Sequence, residues 1–146
     1  MSPLSQGLDF IQIPIPTPWP VVGPIHAYLI KQDPVTLIDT GVNDEPSRAA
    51  LLAGLQAAGV AVTDIKRILV THAHLDHMGQ AAWLQAESGA EVWVHPDETG
   101  KLATPPWWHE GRAVALQHAG VPQETAALMD RYWRTGRRLA LPLERW

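Results

Sequence analysis

No cysteine occurs anywhere in the chain. That absence excludes a disulfide framework and a thiolate metal site together, so any bound metal must be held by nitrogen and oxygen ligands. Long apolar runs are missing as well. No stretch approaches the roughly 18 apolar residues of a membrane span, and Met1 to Phe10 has neither the basic start nor the apolar core of a signal peptide. A soluble, cytoplasmic protein with no membrane partner is expected. Positive charge is sparse: the formal net charge is -4 and no extended Lys/Arg run occurs, which argues against nucleic acid as a partner. Internal repeats and low-complexity tracts are absent too.

What the chain does have is 146 residues with 46% hydrophobic content, enough for one domain (1–146) with a real core and too few for two. Ile11, Ile13 and Ile15 alternate with other residues and predict a short edge strand, after which Pro14, Pro16, Pro18 and Pro20 predict a loop. His26 to Gln32 and Val35 to Asp39 are β-rich runs around Asp33-Pro34 and predict a hairpin. Asp44 is placed to cap a helix with Pro46 in its first turn and Gly59 at its stop. Ile65 to Val70 predicts a buried strand, Gln80 to Ser88 a helix ended by Gly89, and Glu91 to His95 a further strand before a helical turn opened by Pro96. Trp108 to Ala119 and Pro122 to Arg134 read as amphipathic helices, and Leu139 to Leu143 as the start of a strand. This alternation predicts an α/β sandwich with helices laid against a mixed sheet.

Between the strand that ends at Val70 and the following helix stands His72-Ala73-His74-Leu75-Asp76-His77. Residues two apart on extended backbone point the same way, so His72 and His74 can converge on one ion. Asp76 and His77 follow on the turn. Imidazole and carboxylate suit zinc, and also iron or manganese, and so many donors in so short a span point to more than one ion. Two divalent ions at ~3.5–4 Å can share a hydroxide, lower its pKa and present it to a polarised carbonyl or phosphoryl group. That is hydrolysis chemistry.

The segment Thr71-His72-Ala73-His74-Leu75-Asp76-His77-Met78-Gly79 resembles the signature of the metallo-β-lactamase superfamily, which includes glyoxalase II-like thioesterases and lactonases. His26-Ala27-Tyr28-Leu29-Ile30, Leu37-Ile38-Asp39-Thr40-Gly41 and Val92-Trp93-Val94-His95-Pro96 resemble the family's neighbouring strands in the same order. The resemblance spans roughly residues 10–100 and implies the first half of the family's αββα sandwich, with 101–138 as a helical insertion. It implies that His72 and His74 bind a first metal, and Asp76 and His77 a second. Asp76 would also hold the nucleophilic water as a catalytic residue. Asp39 would accept the other ring hydrogen of a ligand histidine, fixing its tautomer. Thr71 and Gly79 would shape the turn.

The family's later histidines and bridging aspartate have no counterpart among the remaining residues, because His95, His109 and His118 lack the Pro-Gly-His-Thr-like setting. Three explanations stand: the N-terminal part of a longer hydrolase, which is preferred; a half-domain completed by a partner or a second copy; and a fold without catalysis that serves as a binding module. Half a sandwich exposes an apolar sheet face, so a homo-oligomer or a missing C-terminal half is expected to cover it. The expected function is metal-dependent cleavage of a small ester, thioester or lactone, ahead of a β-lactam or a phosphodiester. His26, His95, His109 and His118 read as structural or surface histidines. Trp107 and Trp108 read first as packing residues and second as a pocket wall, to which Tyr132, Trp133, Arg137 and Arg138 could belong.

Overall fold

Ile11, Ile13 and Ile15 share one side of an extended segment, and this spacing of two makes Phe10–Ile15 a strand, β1. The computed structural model describes residues 10–19, 23–99, 118–125 and 127. β2 (Ile25–Ile30) runs antiparallel to β1, with Ile13 opposite Ala27 and Ile11 opposite Leu29. β3 (Thr36–Ile38) returns antiparallel to β2 across the turn at Asp33-Pro34, as the sequence predicts. The chain then crosses through a helix to β4 (Arg67–Val70), parallel to β3, and again through helices to β5 (Glu91–Val94), parallel to β4. Strand order in the five-stranded sheet therefore equals sequence order. The two parallel steps need crossovers, and the helices supply them.

The first crossover helix, α1 (Glu45–Ala57), begins where the Asp44 carboxylate accepts the Ser47 amide at 2.9 Å, with proline in the first turn. It stops at Ala58 and Gly59, the latter at φ +70°. The Ser47 hydroxyl donates to the Pro16 carbonyl at 2.8 Å, which ties the helix to the proline-rich loop after β1. Two shorter helices, α2 (Leu75–Met78) and α3 (Ala81–Ser88), fill the second crossover.

All three helices bury residues against one sheet face. In register across it lie Ile11, Leu29, Leu37, Ile68 and Val92. Leu51 and Leu55 of α1, Met78 of α2, and Ala81 and Leu84 of α3 pack on that face to form the core. Each fully buried Leu or Ile contributes about 1.5–3 kcal/mol relative to exposure. The opposite face carries its own row, Gln12, Tyr28, Ile38, Leu69 and Trp93. Trp93 is 49% exposed, with the Arg67 guanidinium stacked 4.1 Å over its ring.

Among the strand starts, the structure departs furthest from the sequence reading at β4. Ile65 is fully buried yet lies outside β4, because the 3₁₀ turn Val62–Asp64 delivers it to the core before the ladder begins. The helices read from Trp108 onward and the strand at Leu139 to Leu143 fall largely outside the described residues, as do Trp107, Trp108, His109, Tyr132, Trp133, Arg137 and Arg138.

Helix α1 lies close against strand β1 at Gly54. A β-carbon there would collide with the Ile13 side chain, whose Cγ1 would stand 2.9 Å away. Alanine normally favours a helix interior over glycine by about 1 kcal/mol. Gly54→Ala is nonetheless expected to destabilise by about 1–3 kcal/mol, the usual cost of overpacking. Urea unfolding checks this, and a raised midpoint would contradict it.

Candidate metal centre

The chain leaves β4 at Val70 and enters α2 at Leu75, so residues 71–74 belong to neither ladder nor helix. Their backbone is held from outside. Asp39, just past β3, is 4% exposed and sits at φ +57°, a left-handed conformation that short polar residues tolerate best. Its Oδ1 accepts the Thr71 amide at 2.8 Å, and the Thr71 hydroxyl donates to the same carboxylate at 2.8 Å from Oδ2. Gly41 follows at φ +83°, where a β-carbon would lie 2.7 Å from Ile15 Cγ2, so the turn beyond Asp39 requires glycine.

Asp39 also reaches the motif itself. Its Oδ2 lies 2.8 Å from Nδ1 of His77, and the hydrogen on that nitrogen donates to it. The other ring nitrogen, Nε2, then carries the lone pair and faces Asp76 Oδ2 at 3.6 Å. A parallel arrangement holds His72. Because the Thr71 hydroxyl spends its hydrogen on Asp39, its oxygen is left to accept from His72 Nδ1 at 3.1 Å. The lone pair of His72 Nε2 thus points at His74 Nδ1, 3.0 Å away. The His72 ring also lies against His77, with centroids 4.1 Å apart.

Burial, reinforced by the neighbouring His77 and His74 rings, lowers the pKa of His72 from its ordinary value. The hydrogen bond to Asp39 raises that of His77, outweighing partial burial.

The candidate donors therefore come as two pairs, His72 Nε2 with His74 Nδ1 and Asp76 Oδ2 with His77 Nε2. Two nitrogens bound at ~2.0–2.1 Å to one tetrahedral zinc stand roughly 3.4 Å apart. The observed 3.0 and 3.6 Å bracket that spacing, and all four are nitrogen or carboxylate donors, so each pair fits one divalent ion. Among the described residues no three His, Asp or Glu side chains converge as a complete ligand set.

Three holding residues were not singled out from the sequence. The His77 carbonyl accepts from the Thr40 amide at 2.7 Å and the Thr40 hydroxyl at 2.9 Å. Gln80, fully buried, donates its side-chain amide to the Thr40 carbonyl at 2.8 Å. Glu98 accepts the Ala73 amide at 2.9 Å. A polar residue opening an apolar helix was the visible signal for Gln80, and Glu98 gave none beyond its place in the turn after Pro96. The one-turn helix α2 was likewise not anticipated. It forms because the His74 carbonyl accepts both the His77 and Met78 amides, and it sets Asp76 and His77 on the same turn. His95 is exposed and its Nδ1 accepts the Asp97 amide at 3.3 Å, a turn-forming contact. His26 lies on β2 and His118 is exposed.

The profile of the metallo-beta-lactamase superfamily matches residues 20–142, and the chain belongs to that superfamily. It is 44% identical over 71 residues to "Probable metallo-hydrolase YqjP" of Bacillus subtilis, covering 49% of this chain and 22% of the relative. It is 40% identical over 76 residues to a hydroxyacylglutathione hydrolase of Bradyrhizobium sp., covering 52% of this chain and 28% of that one. Among solved structures, the metallo-beta-lactamase family protein TTHA1429 from Thermus thermophilus superposes with a TM-score of 0.75 at 27% identity, over 93% of this chain and 44% of that one. The chain thus has part of the superfamily's fold and spans between 22% and 44% of the length of these relatives. No helix among the described residues is long and apolar enough to cross a membrane.

Proposed function

We propose that the protein acts as a metal-dependent hydrolase of a small ester, thioester or lactone, with His72, His74, Asp76 and His77 supplying half of a two-metal site. The observation that carries this reading is the pairing of four donor atoms at 3.0 and 3.6 Å, with the outer nitrogens of His72 and His77 engaged by Thr71 and Asp39. A relative named for hydrolysis of an acylated glutathione supports the carbonyl substrate class.

His72 Nε2 and His74 Nδ1 would hold one ion, Asp76 Oδ2 and His77 Nε2 the other. Zinc suits these donors, as do iron and manganese. Bound ions would bring the pKa of water towards neutrality and polarise the substrate carbonyl. The chain's own residues then do the rest. Asp39 keeps His77 in the tautomer that leaves Nε2 free, and Thr71 does the same for His72. Asp76 accepts a hydrogen bond from the attacking water and holds its proton. A catalytic zinc takes three protein ligands besides water, so completion of the site requires donors beyond these four.

The test is hydrolysis of a panel of thioesters, lactones and aryl esters by the zinc-reconstituted protein carrying the donors that complete the site. Turnover of at least one class is expected, with Asp76→Asn lowering kcat by about 10²–10⁴-fold, the range for a positioned proton acceptor. No turnover on any substrate, or an unaffected Asp76→Asn variant, would count against the proposal.

A further inference from the structure

We propose that Glu98 is a positioning residue that fixes the spacing of His72 and His74 by gripping the backbone amide between them. The inference rests on the metal-site reading above and deepens it. Residues 71–74 have no ladder or helix to satisfy their amides, yet a buried N–H must find an acceptor. Thr71 finds Asp39. Ala73 is 1% exposed with its methyl in the core, so water cannot serve it, and its amide donates to Glu98 Oε2 at 2.9 Å.

The fold explains why Glu98 can reach. Val70 and Val94 are register partners on adjacent parallel strands, so the loop after β4 and the turn after β5 emerge side by side. The turn is itself well fixed: Pro96 opens it, His95 Nδ1 accepts the Asp97 amide at 3.3 Å, and the Glu98 amide donates to the His95 carbonyl at 2.9 Å. A carboxylate acceptor makes a stronger bond to an amide than a neutral one does. The peptide planes on either side of Ala73 set the directions of the His72 and His74 side chains. Holding that amide in place therefore holds Nε2 and Nδ1 at their 3.0 Å separation. In this role Glu98 acts through the Ala73 backbone amide and belongs to the scaffold of the donor pair.

Charge and reach can be separated by substitution. Glu98→Gln keeps an oxygen at the same distance and removes the charge. Glu98→Asp keeps the charge and withdraws it by one methylene. Cobalt(II) titrations, followed by heat and by the visible absorption band, should show Gln binding within about threefold of the unmodified protein. Asp and Ala should bind about 10–100-fold more weakly, the range for partners that orient ligands, with a shifted band. In the metal-free protein, hydrogen exchange at the Ala73 amide should accelerate in the Asp and Ala variants and stay slow in Gln.

Wild-type affinity and spectrum in the Asp variant would overturn the inference. So would a Gln variant that weakens as much as Ala, since the charge alone would then be responsible. An unmodified protein that binds no cobalt would overturn the site reading beneath it, an outcome distinct from either of these.

Discussion

His74→Ala is expected to lose the first ion while leaving the fold intact. The His74 ring is exposed, and although the residue occupies the N-cap of α2, its side chain makes no capping bond there. Substitutions at exposed positions usually change stability by about 0.5 kcal/mol or less. Its Nδ1, however, is one of only two donors in the His72 pair. Removing a direct donor should cost at least the roughly 100-fold seen at the upper end for outer partners of ligands. Calorimetric zinc titration beside thermal unfolding of the metal-free protein checks both halves. Retained affinity, or a collapse in melting temperature, would contradict the assignment.

Asp39→Ala is expected to act in the opposite proportion, on the fold as well as on the metal. Three donors converge on this buried carboxylate: the Thr71 amide, the Thr71 hydroxyl and His77 Nδ1. Alanine leaves them without an acceptor and occupies a left-handed position that costs an ordinary side chain about 1–2 kcal/mol. Each unsatisfied buried donor adds roughly 1–3 kcal/mol, less for the Thr71 groups, which water can reach. A total of about 2–4 kcal/mol follows. Affinity at the Asp76 and His77 pair should also fall about 10–100-fold, because His77 is then free to change tautomer. Asp39→Asn tolerates the backbone better and keeps one acceptor oxygen, so it should recover most of the stability and less of the affinity. Denaturant unfolding and zinc titration of both variants separate the two effects. Equal stability of Asp39→Ala and the unmodified protein would refute this account.

Much of the fold was legible in the sequence because the signals were local. The period of two in Ile11, Ile13 and Ile15, the Asp44 cap with its proline, and the glycines at 59 and 89 each act within a few residues of where they stand. The motif was legible for the same reason, since its donors are nearly contiguous. What could not be read were the contacts that arise only when strands align. Glu98 meets Ala73 because β4 and β5 end level with one another, a consequence of register across the sheet. Thr40 meets His77 because the turn after β3 lies under α2. The sequence suggested that Asp39 attends a ligand histidine but not which one, nor that the same carboxylate holds Thr71. The one-turn helix α2 was missed because four residues are too few for periodicity to show.

The motif's four side chains are expected to hold two ions in pairs. Anomalous diffraction at the zinc edge, from crystals of the metal-reconstituted protein, tests it most directly. Two peaks are expected, one bound at ~2.0–2.1 Å by His72 Nε2 and His74 Nδ1, the other by Asp76 Oδ2 and His77 Nε2. A single peak shared by all four side chains, or zinc bound only elsewhere on the chain, would contradict it.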